Sequence, residues 1–130
     1  MYKIAKEKFG FQLTFGNIIS LEEMNLWLEE SKKALAGAHK PFGVLIDMRT
    51  LRLLQFDVQK VMVEGQGLYK NSGMERSCVI LASAILTMQF ERLAKESGIY
   101  AFERYINSAA YPDWYAKAVG WIQNKIDPGL

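Results

Sequence analysis

The first sixteen residues alternate apolar and polar side chains with the period of a β-strand. In each of two runs, every second side chain falls on one face. Gly10 stands in the second run, where glycine permits a bend, and Gly16-Asn17 ends the pattern. These positions predict a β-hairpin over residues 2–16, with its apolar face formed by Tyr2, Ile4, Phe9, Phe11, Leu13 and Phe15.

A change to helical spacing after residue 19 predicts the first of four amphipathic helices. Ser20 and Glu23 have the spacing of a capping box, and Gly37 ends the helix. Its inner stripe is predicted to hold Leu21, Met24, Leu28 and Leu35, with Trp27 on the flank. The second helix is predicted to have Asp57 as its N-cap and to stop at Gly73. Within it, Gly65 is expected to allow close packing on a sheet.

The two remaining helices follow the same logic. Residues 85–97 predict a third helix, closed by Ser97-Gly98. Pro112 is expected in the first turn of the fourth, where its missing N–H costs nothing, and Asp127-Pro-Gly ends that helix. The inner face of the fourth helix is predicted to consist of Trp114, Tyr115, Ala118, Trp121 and Ile122.

Two short, continuous apolar runs between the helices predict strands that are buried on both faces. They cover residues 42–47 and 78–82. A last strand is predicted over residues 100–106, at an edge because Glu103 and Arg104 interrupt its apolar character. The order β-β-α-β-α-β-α-β-α predicts one α/β domain over residues 1–130. Its sheet would be mixed, mostly parallel and five-stranded, with four flanking helices.

Composition narrows the class of protein. Half of the 130 residues are apolar and 23% are charged, which excludes a disordered chain. The single cysteine excludes an internal disulfide and favours a reducing, cytoplasmic compartment. We find no transmembrane run and no signal peptide. Sixteen basic against fourteen acidic residues are too balanced to indicate nucleic acid or a membrane as partner.

Motifs for catalysis are weak throughout. His39 is the only histidine and is expected to be exposed in a loop, and no metal-ligand spacing is present. Ser83 lacks the glycines of a nucleophile elbow, and Cys78 lies inside an apolar strand. The Gly65-Gln-Gly67 match lies within a predicted helix rather than a phosphate-binding turn. We therefore expect no cofactor, no metal and no enzymatic activity, with a hydrolase-type activity as the remaining enzymatic alternative.

The candidate surface follows from topology, because open α/β sheets gather ligands beyond the carboxyl ends of their parallel strands. Polar residues beside apolar Leu53 predict a pocket or a docking surface at this edge; alternatively, Asp47 caps a turn and Arg49 pairs with a surface carboxylate. Ile85 and Met88 fall off the inner face of the third helix, which indicates an interface and predicts a homodimer. The complete candidate set is Asp47, Met48, Arg49, Arg52, Phe56, Asp57, Ser83, Ile85 and Met88.

Three segments taken together resemble the STAS family, the SpoIIAA-like domains of anti-sigma-factor antagonists. They are residues 42–49 (FGVLIDMR), 73–80 (GMERSCVI) and 117–122 (KAVGWI). The resemblance implies a mixed sheet with four helices and a bacterial-type regulatory role through contacts with another protein. Switching members carry a phosphorylated serine at the start of the second helix.

This chain departs from that family pattern at the switch. It has no serine or threonine between Leu51 and Asn71, and Thr50 lies several residues early. We therefore expect a non-catalytic STAS-like regulatory or protein-interaction domain without the phosphorylation switch. The alternative is a domain that binds a small apolar or nucleotide-like ligand.

Overall fold

A computed structural model of the protein describes residues 1–129 as a five-stranded mixed sheet with four helices, which confirms the predicted fold class. The strands lie in the order β1-β2-β3-β4-β5; β1 and β2 are antiparallel and every other neighbouring pair is parallel. In chain order the elements are β1 (Tyr2–Glu7), β2 (Gly10–Phe15), α1 (Leu21–Ala36), β3 (Phe42–Asp47), α2 (Phe56–Asn71), β4 (Met74–Leu81), α3 (Ala84–Ser97), a 3-10 turn (Tyr100–Phe102), β5 (Glu103–Asn107) and α4 (Trp114–Asn124).

The helices cover the two faces of the sheet unequally. A large apolar core lies on the face that carries α1, α2 and α3, and a smaller core lies beneath α4 on the other face. Every residue of β3 is buried, as its continuous apolar run predicted. The two faces of β4 divide between the cores, because Val79 joins the larger core while Cys78 and Ile80 join the smaller.

Helix boundaries agree with the sequence where the cap chemistry is local. The capping box of α1 is formed: the Glu23 backbone N–H donates to the Ser20 hydroxyl, and the Ser20 N–H donates to the Glu23 carboxylate. The predicted cap of α2 is wrong, since Gln55 occupies the N-cap and Asp57 lies in the first turn. Pro112 precedes α4 instead of starting it, because the helix begins at Trp114 after the N-cap Asp113.

The inner faces of two helices differ from the predicted stripes. Leu21 and Tyr115 are exposed, whereas Trp27, predicted on the flank of α1, is almost completely buried. The Trp27 ring stacks on Tyr69 with ring centroids 5.9 Å apart and meets Phe15 edge-on at 5.2 Å. A large ring reaches the core from a flanking position, so Trp27 joins α1 to α2 and the sheet.

Gly65 allows close packing between two helices rather than between helix and sheet. A side chain at Gly65 of α2 would overlap the Trp27 ring of α1, so only glycine leaves room for that ring. The prediction of a close approach is confirmed, but its partner is corrected.

The last strand, β5, forms an edge of the sheet, as predicted. Its first three predicted residues form the 3-10 turn instead, so the strand itself starts at Glu103. In the part of the chain that the structure describes, no helix combines the length and the hydropathy that crossing a bilayer requires.

Candidate functional site

The carboxyl ends of β2, β3 and β4 meet at one edge of the sheet, and hydrogen bonds join the segments that follow β2 and β3. The backbone N–H of Asn17 donates to the Thr50 carbonyl at 3.0 Å, and the N–H of Arg52 donates to the Asn17 carbonyl at 3.0 Å. This pairing continues the parallel ladder beyond the strands as an isolated bridge between Asn17 and Leu51. The connection between β3 and α2 is therefore fixed against the end of β2.

The same connection is also fixed to α3. The side-chain amide of Gln89 donates to the Leu54 carbonyl at 3.2 Å, while its oxygen accepts from the Leu54 N–H at 3.0 Å. A second amide, from Gln59, donates to the Leu54 carbonyl at 2.9 Å. These bonds place the end of the β3–α2 connection beside the first turns of α3.

Five large apolar side chains project to solvent from these joined segments. Their exposed fractions range from 55% for Leu53 to 72% for Phe56. We call this set the apolar patch, and it consists of Ile18, Leu53, Phe56, Ile85 and Met88. The predicted exposure of Ile85 and Met88 is confirmed, and Arg52 lies exposed within the same segments.

Asp47 and Arg49 form a separate cluster on the α4 side of this edge. The Arg49 guanidinium donates to both carboxylate oxygens of Asp47, at 3.0 and 2.9 Å, and the Arg49 backbone N–H donates to the same carboxylate at 3.1 Å. The guanidinium carbon also lies 4.5 Å from the centroid of the Trp114 ring. Asp47 thus caps a turn, and Arg49 pairs with the carboxylate of that same residue. This is the structural alternative to a binding site that the sequence analysis considered.

Three further predicted surface residues have structural roles. The prediction that Met48 belongs to the surface is wrong. Its N–H donates to the Ile80 carbonyl, which continues the β3–β4 pairing, and its side chain is buried in the larger core. Ser83 is the N-cap of α3, where its hydroxyl accepts from the Leu86 N–H at 3.2 Å. Asp57 is exposed, and its carboxylate accepts from the Val58 N–H.

The residues with possible catalytic chemistry do not come together. His39 is exposed in the loop before β3, and Cys78 is fully buried in β4. Burial raises the pKa of the Cys78 thiol, and the nearby Glu103 carboxyl raises it further. Within residues 1–129, no group of three or more histidine, cysteine, aspartate or glutamate side chains is arranged to hold a metal ion.

An interior cavity between the sheet and the first three helices is small. Its volume is about 30 Å³, and apolar side chains such as Leu13, Val44 and Phe90 form most of its wall. A single water molecule needs about 10–15 Å³ of such space, so the cavity is too small for a lipid-sized molecule.

Sequence reasoning missed a buried carboxyl group, that of Glu103, which it had treated only as a sign of an edge strand. Glu103 is 3% exposed, and its carboxylate accepts from the Ser77 hydroxyl at 2.9 Å and from the Tyr105 hydroxyl at 2.7 Å. Burial raises the pKa of Glu103 to about 7, because desolvation outweighs these two hydrogen bonds. No local signal reveals this burial, since it depends on the pairing of β5 with β4.

Comparisons with known proteins do not name a family for this chain. A scan against protein-family models, a search of curated proteins and a search of solved structures each gave no significant match. The fold and the site geometry therefore carry the functional argument.

Proposed function

We propose that this protein is a non-catalytic interaction domain of the STAS-like regulatory type, which binds another protein through the apolar patch. The observation that carries the proposal is the exposure of five large apolar side chains on segments held together by backbone and amide hydrogen bonds. Several large apolar side chains exposed on adjoining segments are unfavourable in water and are typical of a protein interface.

The patch has the size and rigidity that protein binding needs. Covering an exposed Leu, Ile, Phe or Met side chain contributes about 1.5–3 kcal/mol at most. Five such contributions are comparable with the roughly 4–15 kcal/mol of freedom lost on association. Because the hydrogen bonds of Gln89 and Asn17 already fix the segments, little further ordering is required on binding.

Basic side chains at the patch favour an acidic partner. Arg52 is exposed on the β3–α2 connection, and the Lys60 ammonium lies 4.8 Å from the centroid of the Phe56 ring. We infer that the partner presents apolar residues flanked by carboxylates. A homodimer through the same patch would bring together two of these cations and only one exposed carboxylate, that of Asp57, from each copy, so a second copy of the chain is the less favourable occupant.

The family assignment within this proposal is supported by element order. The strands and helices follow the sequence that the STAS resemblance implies, with four helices around a mixed sheet. The first turn of α2 begins Phe56-Asp57-Val58 and contains no hydroxyl group. We therefore propose control of binding by partner availability rather than by phosphorylation of this turn.

The alternative function, binding of a small apolar ligand, receives less support. The interior cavity of about 30 Å³ is an order of magnitude below the roughly 300–1,000 Å³ of usual small-molecule sites. Exposed apolar residues at the strand ends therefore favour protein contacts.

Site-specific photo-crosslinking tests the proposal. A photoreactive amino acid replaces Phe56 or, as control, Ile126. Ile126 is 61% exposed and follows the C-terminal end of α4, whereas the N-terminal end of α4, at Trp114, contacts Arg49. Crosslinked proteins are identified by mass spectrometry, purified and titrated against the wild-type chain. The variants Ile85→Asp and Ile126→Asp are then compared, since the two isoleucines are exposed to nearly the same extent, 64% and 61%.

We expect a partner that crosslinks at position 56 and not at 126, and whose affinity falls at least tenfold in Ile85→Asp while Ile126→Asp retains it. Equal crosslinking at both positions, or equal affinity of both aspartate variants, would refute the proposed surface. A chain that crosslinks only to itself, with the mass of a dimer in sedimentation, would assign the patch to self-association instead.

A further inference from the structure

A groove of about 480 Å³ lies along the free edge of β5, and its wall on α3, formed by Thr87 and Glu91, lies beside Met88 of the apolar patch. We call it the tyrosine groove, and the residues that matter here are Thr87, Glu91, Tyr100, Tyr105, Asn107 and Tyr111. It is built from α3, the 3-10 turn, β5 and the segment that follows β5. Its volume falls in the range of small-molecule sites, unlike that of the interior cavity.

The walls of the groove are aromatic. The rings of Tyr100 and Tyr105 have centroids 6.5 Å apart with planes inclined at 33°. Each of the two outer tyrosines already attracts an ammonium group of the chain itself: Lys95 Nζ lies 4.7 Å from the Tyr100 centroid and Lys117 Nζ 5.6 Å from that of Tyr111. These contacts show that Tyr100 and Tyr111 already take part in cation–π interactions, so a bound cation would displace Lys95 or use another face of the Tyr100 ring.

The charges of the groove are acidic. Glu91 accepts a long hydrogen bond, 3.5 Å, from the Tyr100 hydroxyl, and Glu103 accepts one of 2.7 Å from the Tyr105 hydroxyl. Both carboxyl groups raise the pKa of Tyr105 in addition to the larger effect of burial.

The one basic lining residue directs its charge elsewhere. Arg104 lies between Glu103 and Tyr105 in β5, so its side chain points to the opposite face of the sheet. There its guanidinium lies 4.1 Å from the centroid of the Trp121 ring and donates to the Asp127 carboxylate at 3.0 Å. Its guanidinium also donates to the Ala101 and Glu103 carbonyls, at 3.1 Å each, and makes no hydrogen bond to the carboxylates of Glu91 or Glu103.

We propose that the tyrosine groove binds an organic ammonium cation against the Tyr100 and Tyr105 rings, with Glu91 as its main counter-charge. Aromatic walls attract the diffuse charge and the hydrocarbon part of such a cation, which a small hydrated metal ion lacks. The buried Glu103 adds negative potential from the base of the groove only above its pKa of about 7, where its carboxyl group has lost its proton.

An ammonium group reaches this groove from either of two sources. It belongs to a free amine, or it is the side chain of a lysine in an extended peptide. The free edge of β5 suits the second source. In a parallel pair every second residue bonds to the neighbouring strand, and the Ser108 N–H donates to the Leu81 carbonyl of β4. Tyr105, three residues earlier, therefore directs its N–H and C=O away from β4, where an extended peptide could pair with them.

The test is an NMR titration of the ¹⁵N-labelled protein at constant ionic strength. The probes are tetramethylammonium chloride, Nα-acetyl-lysine amide and, as the control for ionic strength, sodium chloride. The variants are Tyr100→Leu and Glu91→Gln, with Tyr115→Leu as matched control because Tyr115 is exposed to a similar degree, 45% against 40% for Tyr100.

We expect saturable shifts confined to residues 87–111 with dissociation constants on the order of millimolar, as suits probes of so few atoms. Affinity should fall about tenfold in Tyr100→Leu and at least about threefold in Glu91→Gln, and should be retained in Tyr115→Leu. Tighter binding of the lysine amide assigns the site to a peptide, and tighter binding of tetramethylammonium assigns it to a free amine.

Shifts that match those of sodium chloride, or an affinity equal in wild type and Tyr100→Leu, would overturn the proposal. Variant spectra that retain the dispersion of the wild type establish that a loss of binding is not a loss of folding. The two proposals can fail separately, since the crosslinking experiment uses changes at Phe56 and Ile85 and this titration uses changes at Tyr100 and Glu91.

Discussion

Replacing Glu103 by glutamine should stabilise the protein, and the gain should grow with pH. In the folded chain the carboxyl group is 3% exposed and its pKa is raised from the usual 4.5 to about 7, with desolvation as the largest cause. Glutamine keeps the shape and carries no charge to desolvate. The Ser77 and Tyr105 hydroxyls bond to different carboxylate oxygens, so the glutamine oxygen accepts from one of them and its NH2 group donates to the oxygen of the other.

The sign follows from proton binding. Between pH 4.5 and 7 the unfolded chain has lost the Glu103 proton while the folded chain still holds it, so the free energy of unfolding of the wild type falls as pH rises through this window. A shift of about 2.5 pH units at 1.36 kcal/mol per unit sets an upper limit of about 3 kcal/mol above pH 7. Glu103→Gln escapes this loss, so the two stability curves should nearly meet at pH 4 and separate toward pH 8.

Urea unfolding followed by tryptophan fluorescence, repeated from pH 4 to pH 8, measures the separation. Glu64→Gln is the matched control because Glu64 lies exposed on α2, and its stability should stay within about 0.5 kcal/mol of the wild type at each pH. A Glu103→Gln curve that runs parallel to the wild type, or that lies below it at pH 8, would refute the reasoning. The carboxyl ¹³C titration of Glu103 provides an independent reading of its pKa.

Three other predictions concern packing, helix capping and thiol reactivity. Gly65→Ala should lower the free energy of unfolding by about 1–3 kcal/mol, because the new methyl group overlaps the Trp27 ring. Gly67→Ala in the same helix meets open space and should raise the free energy of unfolding by up to about 1 kcal/mol. A loss of stability at both positions in urea unfolding would contradict this. Arg76→Leu should cost about 2–3 kcal/mol, since the Arg76 guanidinium donates to the Trp121 and Ile122 carbonyls at the end of α4, and the exposed Arg52→Leu should cost little by calorimetry. The Cys78 thiol should react with a thiol-specific reagent only as fast as the protein opens, because it is buried and its pKa is raised; rapid stoichiometric labelling of the native protein would be inconsistent with β4 as described.

The order of elements could be predicted from sequence because each depends on nearby residues. The capping box of Ser20 and Glu23 and the continuous apolar run of β3 are local patterns, and both have the expected structure. Met48 was misplaced because its predicted exposure assumed that the strand ended at Asp47. In the structure its N–H still pairs with β4, and that bond carries the side chain into the core.

Side-chain length limits what helical periodicity can predict. A spacing of 100° per residue places Trp27 at the side of α1, yet its ring extends far enough to stack on Tyr69 and to occupy the space that Gly65 leaves. The same periodicity places Ile85 and Met88 correctly in solvent, because that side of α3 is left uncovered by residues 1–129. Ile18 was missed since it belongs to a connection, where no periodicity applies.

The tyrosine groove and Glu103 depend on register, which one-dimensional patterns do not contain. Ser77 becomes a partner of Glu103 only because the two residues are paired across β4 and β5. An edge strand with a buried carboxyl group also gives up stability that glutamine would keep, by the argument above. Retaining this carboxylate costs up to about 3 kcal/mol of stability above pH 7. If Glu103→Gln is both more stable and weaker in binding tetramethylammonium, the negative charge of Glu103 serves cation binding. Greater stability with unchanged binding would instead leave Glu103 as a guard against edge-to-edge pairing of β5, since inward-pointing charges protect exposed edges.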